Sequence, residues 1–429
     1  MPDVLSIKGG APLKGTVSVA GAKNSALPLL FATLLTNEPC TLFNVPNLDD
    51  IAVTLRMLKQ LGAEAEFNSG KVKVHAKNLH STTAPYGLVK ALRASFWVLG
   101  PLLAREGRAE VALPGGDAIG TRPVDLHIDG LIKLGADVRL KQGVVFAKAP
   151  GKLRGEKVSL AYPSVGATHH LLLTAALIPE ETIIEGAARE PEVIQLAEFL
   201  SKMGATIEGA GTSVIKVLGK SELSGAETTV LPDRIEAATY LCAGAATGGD
   251  VCVEGIDADT LGSTRQILEN AGCEVVVGDN SIRVKSPENL EAASFSTAPA
   301  PGLATDVQPL LMAALVKARG VSTITETVFE NRFGHVAEFR RLGADISIDG
   351  RIAKIKGVEK LSGAPVDAGD IRAAAGLVIL GLMAEGCTQL REVYHLDRGY
   401  ENVIEKFKSL GANISREPEY EENDLILGC

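Results

Sequence analysis

The sequence predicts an α/β protein of two similar domains, each built from three repeats of one helix-and-sheet unit. Three observations lead to this prediction: a stretch that recurs six times, an apolar helix in each repeat, and a composition rich in small aliphatic residues. Of the 429 residues, 46% are hydrophobic but only 4% are aromatic, so Ala, Leu, Val and Ile must form the core. A chain of this length exceeds one compact core and fits two domains.

The recurring stretch consists of a helix end, a glycine and a strand, as in LKQLGAEAEF and FRRLGADISI. Its six copies are centred on glycines 68 to 73 residues apart: Gly62, Gly135, Gly204, Gly272, Gly343 and Gly411. A glycine after the last turn accepts the left-handed conformation in which many helices end. Six such units fill the chain.

Each repeat also contains an earlier and more apolar segment, such as SALPLLFATLL, LVKALRASFWVLGPLLA or DIRAAAGLVILGLMA. A helix that is apolar on most faces is a buried one. Short β-rich runs, for example residues 182–185 and 251–254, separate this helix from an amphipathic one. Every unit is therefore expected to hold a buried helix, a strand, an amphipathic helix and further strands.

Three repeats per domain place the main boundary at residues 226–231. The first strand, residues 4–7 with 15–19, has no repeat of its own and is expected to join the C-terminal domain. The predicted domains are residues 22–229, and residues 1–21 together with 230–429, with a cleft between them. The acidic tail EPEYEENDLILGC is expected to be a loose surface end.

Composition also restricts the class of function. A net charge of -9 argues against nucleic-acid binding, which usually shows a basic stripe. The six cysteines are scattered without metal-ligand spacing, which favours reduced thiols over disulfides or zinc. The N-terminus lacks a signal-peptide pattern, and no apolar run reaches the roughly 18 residues of a membrane span. A cytoplasmic protein without a membrane segment is expected.

A glycine-rich stretch, LPGGDAIGTRPVDL at residues 113–126, follows a predicted strand. Its three glycines within seven residues allow backbone conformations closed to other residues, so the segment can fold over a ligand. This lid loop, as we call residues 113–126, carries the carboxylate of Asp117 and the cation of Arg122. A plain turn is the alternative, because glycine-rich turns after strands are common.

Charged residues stand at equivalent points of several repeats, at the starts of the buried helices or in the turns before the amphipathic ones. Ordinary capping is the alternative for Asp233, Asp306 and Asp370. Capping does not explain cations at these points, because a positive charge at a helix N-terminus opposes the helix dipole. An anion bound between the cation and the helix N-terminus would explain them. The cations are Lys23, Arg93, Arg122, Arg332, Arg372 and Arg398.

This set of cations predicts more than one anionic group, such as phosphates and a carboxylate, for which the planar fork of arginine is suited. Asp117 and Asp306 are the acids nearest these cations, and one acid and one base beside an anion site suit proton-transfer chemistry. No P-loop, dinucleotide-binding or hydrolase-elbow motif occurs in the sequence, so those three chemistries lack support.

Nine segments, in order and over essentially the whole chain, resemble the UDP-N-acetylglucosamine enolpyruvyl transferases: AGAKNSALPLL, LRASFWVLGPLLA, LPGGDAIGTRPVDLH, PSVGATHH, LPDRIEAATY, ATDVQPL, VFENRFGH, DIRAAAGLV and HLDRGYE. The resemblance implies two domains of pseudo-three-fold symmetry, an inside-out α/β barrel, with helix N-termini facing a cleft. It also implies transfer of the enolpyruvyl group of phosphoenolpyruvate to the sugar 3′-hydroxyl with release of phosphate. That reaction is the first committed step of peptidoglycan synthesis and requires no metal or cofactor.

The resemblance further implies roles for individual residues. Lys23, Arg122 and Arg398 would hold the phosphate of phosphoenolpyruvate with Asn24 close by, and Arg332 and Arg372 its carboxylate. Asp306 would take the proton of the attacking hydroxyl, with Asp117 and Lys23 completing the catalytic set. The nucleotide sugar would be held by Arg93, Arg122, Pro123, Val124, Asp125, Leu126, Ser164, Val165, Gly166, Asp306 and Val328.

Two departures from the family pattern stand out. Asp117 occupies the lid position where the family usually has a cysteine, the thiol that fosfomycin alkylates, so we expect fosfomycin insensitivity and an activity optimum at lower pH. Tyr162 and Pro163 precede SVGAT where the family commonly has a lysine near the uridine phosphates, so one phosphate contact is expected to be lost.

Two other functions are alternatives to transfer of an enolpyruvyl group to UDP-N-acetylglucosamine. A 5-enolpyruvylshikimate-3-phosphate synthase would share fold and chemistry, but its lysine motif is serine-rich, unlike AGAKNSALP. A non-catalytic sensor of the nucleotide sugar would explain the changed lid acid, but it would not need the cations that bind phosphoenolpyruvate. The expected partners are the two small-molecule substrates alone, and the expected oligomeric state is a monomer.

Overall fold

The computed structural model describes residues 3–115, 119–120 and 123–418. Two compact units emerge from its contacts. The first unit comprises residues 1–20, 117–122 and 232–429, and the second comprises residues 21–116 and 123–231. Asp117 and Arg122 lie outside the described residues, as does the acidic tail from residue 419 onward.

The helices alternate between buried and amphipathic members along the described chain. In order they are α1 (Lys23–Ala32), α2 (Asp49–Leu61), α3 (Tyr86–Ala91), α4 (Leu99–Glu106), α5 (Asp125–Lys133), α6 (Val165–Ala175), α7 (Pro191–Lys202), α8 (Arg234–Ala246), α9 (Gly262–Asn270), α10 (Gln308–Ala314), α11 (Val336–Arg341), α12 (Ile371–Met383), α13 (Tyr394–Asp397) and α14 (Val403–Ser409). Short 3₁₀ helices occupy Thr33–Leu35, Arg93–Val98, Ala258–Leu261 and Leu315–Lys317. None of the helices in the described part of the chain is long and apolar enough to cross a membrane.

The strands of the described residues form six small sheets, three in each unit. In chain order they are β1 (Asp3–Lys8), β2 (Lys14–Ser18), β3 (Cys40–Phe43), β4 (Glu64–Asn68), β5 (Lys71–His75), β6 (Arg108–Ala112), β7 (Asp137–Lys141), β8 (Val144–Lys148), β9 (Lys157–Ser159), β10 (Glu181–Glu185), β11 (Thr206–Glu208), β12 (Val214–Leu218), β13 (Glu227–Thr229), β14 (Asp250–Glu254), β15 (Glu274–Gly278), β16 (Ser281–Lys285), β17 (Phe295–Ser296), β18 (Val321–Thr325), β19 (Asp345–Asp349), β20 (Ile352–Lys356), β21 (Pro365–Asp367), β22 (Cys387–Arg391) and β23 (Asn413–Pro418).

Sheet order repeats from one unit to the other. The second unit contains the sheets β13-β3-β5-β4, β6-β8-β7 and β11-β12-β10-β9, and the first unit contains β15-β16-β14-β2, β17-β18-β20-β19 and β21-β22-β1-β23. In five of these six sheets a short edge strand pairs in parallel with the strand after a buried helix, as β9 does with β10. This recurrence confirms the repeated α/β unit expected from the sequence.

The six repeat glycines end helices in the left-handed conformation. Their φ angles lie between 91° and 118°, at Gly62, Gly135, Gly204, Gly272, Gly343 and Gly411. A side chain with a Cβ is strained at such angles, which is why the same residue recurs at every helix end. The expectation from the sequence is confirmed at all six positions.

Three apolar helices form the centre of each unit. In the first unit α8, α10 and α12 pack against one another, and every residue of α12 is buried. In the second unit α1 and α4 both contact α6. Because these helices bury almost all their faces, polar residues are tolerated mainly at their ends, which concentrates charge at the helix starts.

The second repeat departs from the sequence prediction. The run of residues 88–104 is not one buried helix but the end of α3, a 3₁₀ helix and most of α4. Leu92 is extended, with φ -139° and ψ 117°, and this residue interrupts the helix. Arg93 therefore stands at the start of a new helical segment.

The two N-terminal strands complete sheets of the first unit. β1 pairs antiparallel with β22 and β23, and β2 pairs in parallel with β14. Their partners lie between 232 and 418 residues into the chain, within the same unit. Both N-terminal strands therefore pair with strands that lie within residues 250–418.

Candidate active site

The start of helix α12 gathers several of the predicted residues of the first unit. Asp370 caps this helix, because its Oδ1 accepts hydrogen bonds from the backbone N–H groups of Arg372 and Ala373 at 2.8 and 2.9 Å. Arg372 Nε and Nη2 both lie 3.1 Å from Asp306 Oδ2, and Nε donates to it. The cap fixes the backbone from which Arg372 reaches Asp306.

Arg372 is a buried guanidinium with one nitrogen available. The residue is 5% exposed, and its Nη1 has no hydrogen-bond partner among the described residues. Burial alone would lower the pKa of Arg372, but the neighbouring Tyr400, Asp306 and Asp233 raise it above its ordinary value, so the group stays charged. Its Cζ lies 5.4 Å from the centre of the Tyr400 ring. An uncompensated buried N–H of a cation marks a place for an anionic ligand.

Arg332 joins the same cluster from the turn before α11. It is 2% exposed, its Nη1 donates to Asp370 Oδ2 at 3.2 Å, and its Nε donates to the carbonyl of Thr305 at 3.5 Å. Burial, together with the charge of Arg332, lowers the pKa of His335 to about 3, so this imidazole is neutral at pH 7. Asp370 therefore contacts both arginines that are predicted to bind a carboxylate. It accepts a hydrogen bond from the Arg332 side chain and one from the Arg372 backbone N–H.

A buried carboxylate shapes the loop that carries Val328. Glu326 is fully buried, and its Oε1 accepts hydrogen bonds from the Val328 and Phe329 N–H groups at 2.8 and 3.1 Å. Its Oε2 accepts from Thr305 Oγ1 at 3.0 Å. The loop of Val328 is thereby tied to the segment that bears Asp306.

Arg398 is half-buried and directly follows α13. The next residue, Gly399, packs tightly on the start of α12, since a Cβ there would lie 2.4 Å from Ile371 Cγ2. Only glycine permits that approach, and it brings the backbone beside Arg398 against the helix that carries Arg372. The first unit therefore groups Asp306, Val328, Arg332, Arg372 and Arg398 around one helix start.

Lys23 opens α1 in the second unit, where it is 7% exposed. Its Nζ donates to Asp50 Oδ2 at 2.9 Å, and Asp50 is 2% exposed. The neighbouring Asn24 is exposed. A buried ammonium needs such a counter-charge, and Asp50 fixes the direction in which the lysine points.

The predicted nucleotide-sugar residues of the second unit lie on three helix starts. Arg93 opens the 3₁₀ helix, and Pro123 and Val124 precede α5, whose first residues are Asp125 and Leu126. Ser164 caps α6, where its Oγ accepts from the Ala167 N–H at 3.3 Å. Trp97 Nε1 donates to the Gly166 carbonyl at 2.9 Å and so connects the first and third of these segments. Tyr162, the residue in place of the family's lysine, is 40% exposed.

Helix capping, the alternative role for the three acids, applies to two of them. Asp233 and Asp370 are true caps, since their carboxylates accept from the backbone of α8 and α12. Asp306 precedes the cap position, because Val307 is the N-cap residue of α10. Asp306 pairs with Arg372 instead, so its side chain is placed by an ion pair between repeats.

A model of the family described as EPSP synthase (3-phosphoshikimate 1-carboxyvinyltransferase) matches residues 7–407. Proteins named UDP-N-acetylglucosamine 1-carboxyvinyltransferase from Azorhizobium caulinodans, Geobacter metallireducens and Trichlorobacter lovleyi are 50%, 49% and 48% identical. Each alignment covers 96% of this chain and 99% of the relative. The chain belongs to the enolpyruvyl transferase family.

Solved structures of enolpyruvyl transferases share the fold. The enolpyruvyl transferase NikO from Streptomyces tendae matches with a TM-score of 0.88 and 27% identity, over 97% of this chain and 99% of that one. EPSP synthase from Acinetobacter baumannii matches with a TM-score of 0.78 and 19% identity, over 97% and 100% of the two chains. At that identity the second likeness concerns the fold alone.

Sequence reasoning missed two acids of this enolpyruvyl transferase, Asp50 and Glu326. Asp50 stands in the buried stripe of α2 with Thr54 and Leu58, and an acid on the apolar face of an amphipathic helix indicates a buried partner. Glu326 follows the alternating strand β18 and carries no comparable pattern, because its partners are backbone N–H groups and hydroxyls of distant segments.

Proposed function

We propose that this chain transfers the enolpyruvyl group of phosphoenolpyruvate to the 3′-hydroxyl of UDP-N-acetylglucosamine and releases phosphate. The observation that carries the proposal is the buried Arg372, which pairs with Asp306 through two nitrogens and leaves Nη1 without a partner among the described residues. That arrangement supplies an anion-binding group beside a carboxylate base. The substrates follow from the relatives, which share 48 to 50% identity over nearly the full chain.

The carboxylate of phosphoenolpyruvate would bind Arg372 and Arg332. Both guanidinium groups are buried, so their hydrogen bonds to a carboxylate are little weakened by water. Lys23 and Arg398 would bind the phosphate together with Arg122, and Asn24 would lie close by. The 2.9 Å ion pair with Asp50 supports this role, because it fixes the position of the Lys23 side chain at the start of α1.

The nucleotide sugar would bind through Arg93 and the three helix starts of the second unit, and through Asp306 and Val328 of the first. Pro123 and Val124 precede α5, which begins at Asp125, and Ser164, Val165 and Gly166 form the start of α6, whose N–H groups favour the diphosphate. Tyr162 replaces the family's lysine here, so the diphosphate would depend more on Arg93 and the helix start.

The reaction would proceed by addition and elimination. The sugar oxygen adds to C2 of phosphoenolpyruvate while Asp306 takes the hydroxyl proton and Asp117 gives a proton to C3, which forms a tetrahedral adduct. Loss of a proton from C3 and departure of phosphate from C2 then give the enolpyruvyl ether. The products contain the atoms of the two substrates, with protons exchanged through Asp306 and Asp117, and the proposal includes no metal or cofactor.

Asp117 makes the acid step unusual. An aspartic acid has a reference pKa of about 3.9, whereas a thiol is near 8.5, so an acid at this position is ionised at neutral pH unless its surroundings shift it. A bound phosphate beside Asp117 favours the protonated form, and Arg122 opposes it. We therefore propose activity that is highest at mildly acidic pH.

We further propose that the enzyme acts in the cytoplasm as a monomer, with residues 22–229 as one domain and the remainder as the other. Sedimentation of the purified chain at the mass of one copy, with and without both substrates, is the expected result. Sedimentation at twice that mass would replace the monomer in this proposal.

The deciding experiment follows phosphate release from phosphoenolpyruvate on addition of UDP-N-acetylglucosamine between pH 5 and 9. Wild type, Asp117→Ala and Asp117→Cys are compared. Release by wild type, its loss in the alanine variant and an extended alkaline limb in the cysteine variant are expected. Nucleotide-sugar binding without release at any pH would instead support a sensor, and release only with shikimate 3-phosphate would support the synthase.

A further inference from the structure

Three segments of the second unit converge on a pair of histidines. His127 follows the stretch 123–126 within α5, and His170 lies one turn beyond Gly166 in α6. Their Nδ1 atoms are 2.9 Å apart. The ring of Phe96, from the 3₁₀ helix that Arg93 opens, packs edge-on against both imidazoles at 5.5 and 5.7 Å.

Both imidazoles are neutral at pH 7. Burial lowers the pKa of His170 to about 3. Burial, with the nearby His170 and Arg93, holds the pKa of His127 well below its ordinary value. Each ring therefore carries one proton, and the short contact between the two Nδ1 atoms requires one Nδ1–H to donate and the other Nδ1 to accept.

The surroundings of His170 decide which ring donates. Its Nε2 is buried and has no hydrogen-bond partner among the described residues. Helix α4 covers this edge closely, since a Cβ on Gly100 would lie 2.9 Å from His170 Nε2. A proton on Nε2 would be a buried N–H without an acceptor, which costs more than a bare lone pair there. His170 therefore carries its proton on Nδ1 and donates it to His127 Nδ1.

The hydrogen bond from His170 also determines which nitrogen of His127 carries the proton. With Nδ1 accepting, the proton of His127 must be on Nε2. Nε2 faces the start of α6, because a Cβ on Gly166 would lie 3.2 Å from it. His127 keeps 8% of its surface exposed, and Arg93 is near enough to lower its pKa. The Nε2 donor of His127 thus lies beside the start of α6, and the charge of Arg93 acts on the same ring.

We propose that His127 donates a hydrogen bond from Nε2 to a diphosphate oxygen of the bound nucleotide sugar, and that His170 is the positioning residue that fixes its tautomer. The inference rests on the proposed function, which brings a UDP-sugar to these helix starts. Relatives commonly have a lysine near the uridine phosphates where this chain has Tyr162. We assign to His127 part of the phosphate binding that such a lysine would supply.

Two substitutions of His127 distinguish the role of its Nδ1 from the role of its Nε2. His127→Asn places an amide near Nδ1 and removes the Nε2 donor, whereas His127→Gln carries its amide nitrogen out to the position of Nε2. Calorimetry with UDP-N-acetylglucosamine and with UDP is the readout. We expect Asn to weaken both ligands by about ten- to a hundredfold, and Gln to weaken them less than about threefold.

A matched control is His169→Asn. His169 lies in the same buried group, with its ring 5.0 Å from that of Trp97, and has no place in the proposed binding set. The control should lower the melting temperature about as much as His127→Asn does, with the affinity for UDP unchanged. Equal losses of affinity in both variants would show a packing effect and overturn the proposal.

The tautomer is measured on the wild-type protein, independently of any variant. Long-range ¹⁵N–¹H correlation spectra of histidine-labelled protein should show His127 protonated on Nε2 and His170 on Nδ1. The reverse assignment overturns the inference while leaving the proposed function intact. Failure of wild type to bind UDP-N-acetylglucosamine would overturn the proposed function as well, so the two failures are distinguishable.

Discussion

Arg372 and Asp306 are 66 residues apart in the chain, yet Nε and Nη2 of Arg372 both lie 3.1 Å from a single oxygen of Asp306. One belongs to the start of α12 and the other to the approach to α10, so the pair connects two repeats. A substrate carboxylate arriving at Arg372 Nη1 would find Asp306 already directed by the remaining nitrogens. The proposed base is thus oriented before the second substrate binds.

Asp306→Asn should lower kcat at least a hundredfold, because the amide cannot take the hydroxyl proton. The KM for phosphoenolpyruvate should change little, since Arg372 keeps a neutral hydrogen-bond acceptor. Phosphate-release kinetics at saturating substrates measures the effect. A raised KM with unchanged kcat would show that Asp306 binds substrate without acting as a base.

Arg372→Lys should raise the KM for phosphoenolpyruvate about tenfold or more. An ammonium is a point charge that cannot reach Asp306 and a ligand carboxylate through a planar fork. Arg341→Lys is the matched control, because Arg341 is a half-exposed arginine whose pair with Glu338 lies on α11. Similar KM values in the two variants would contradict the assignment of Arg372 to the carboxylate.

Asp50→Asn should destabilise the protein by about 3 to 5 kcal/mol, because it leaves the buried ammonium of Lys23 without its counter-charge. Activity at saturating phosphoenolpyruvate should recover in part, since the substrate phosphate supplies the missing negative charge. The neighbouring Asp49 is exposed in the same helix turn, so Asp49→Asn should change stability by less than about 0.5 kcal/mol. Thermal and urea unfolding of both variants measure the difference.

Acid should destabilise the second unit through its buried imidazoles. Burial lowers the pKa of His169 to about 4, below its ordinary value of 6.5. Between those values only the unfolded chain binds the proton, so stability is full above about pH 6.5 and is lost as the pH falls towards 4. At pH 5 this one histidine should cost the folded state about 2 kcal/mol.

His169→Leu isolates that effect. Relative to wild type, the variant should gain about 2 kcal/mol in unfolding free energy when the pH is lowered from 7 to 5. His80→Gln, at an exposed histidine, should show no such gain. A parallel decline of wild type and His169→Leu would mean that other groups govern acid unfolding.

Fosfomycin should leave the wild-type enzyme active, because the epoxide alkylates a thiol and the lid position holds Asp117. The Asp117→Cys variant should be inactivated by fosfomycin within minutes. The loss of phosphate release from phosphoenolpyruvate over time measures this inactivation. Mass spectrometry should find the adduct in that variant alone. Loss of wild-type activity on the same timescale would contradict the prediction.

The fold could be predicted largely from the sequence because its rules are local. Each of these helix ends has a left-handed residue, so Gly62 and its five counterparts mark the repeats, and a segment as apolar as α12 beyond Arg372 is expected to be buried. The break at Leu92 could not be predicted, because one extended residue in an apolar run leaves no compositional trace.

The candidate site was predictable in its charged residues and not in their partners. Cations at helix starts, such as Lys23 and Arg372, are informative as a set, because several repeats carry one at an equivalent point. The pairing of Lys23 with Asp50 and of His127 with His170 depends on how separate helices pack, and no spacing in the sequence expresses it. Asp117 and Arg122 lie outside the described residues, and their roles remain proposals.

The pairing of β1 with β22 and β23, and of β2 with β14, also sets an order of events during synthesis. The second unit is nearly continuous along the chain, so it can fold once residue 231 has left the ribosome. β2 can pair once β14 has been made, but the sheet of β1 cannot close until β22 and β23 follow, which takes about 190 further residues and roughly 10 to 40 s at ordinary elongation rates. Through that interval β1 of the nascent chain has no strand partner, and chaperones have their longest access to it.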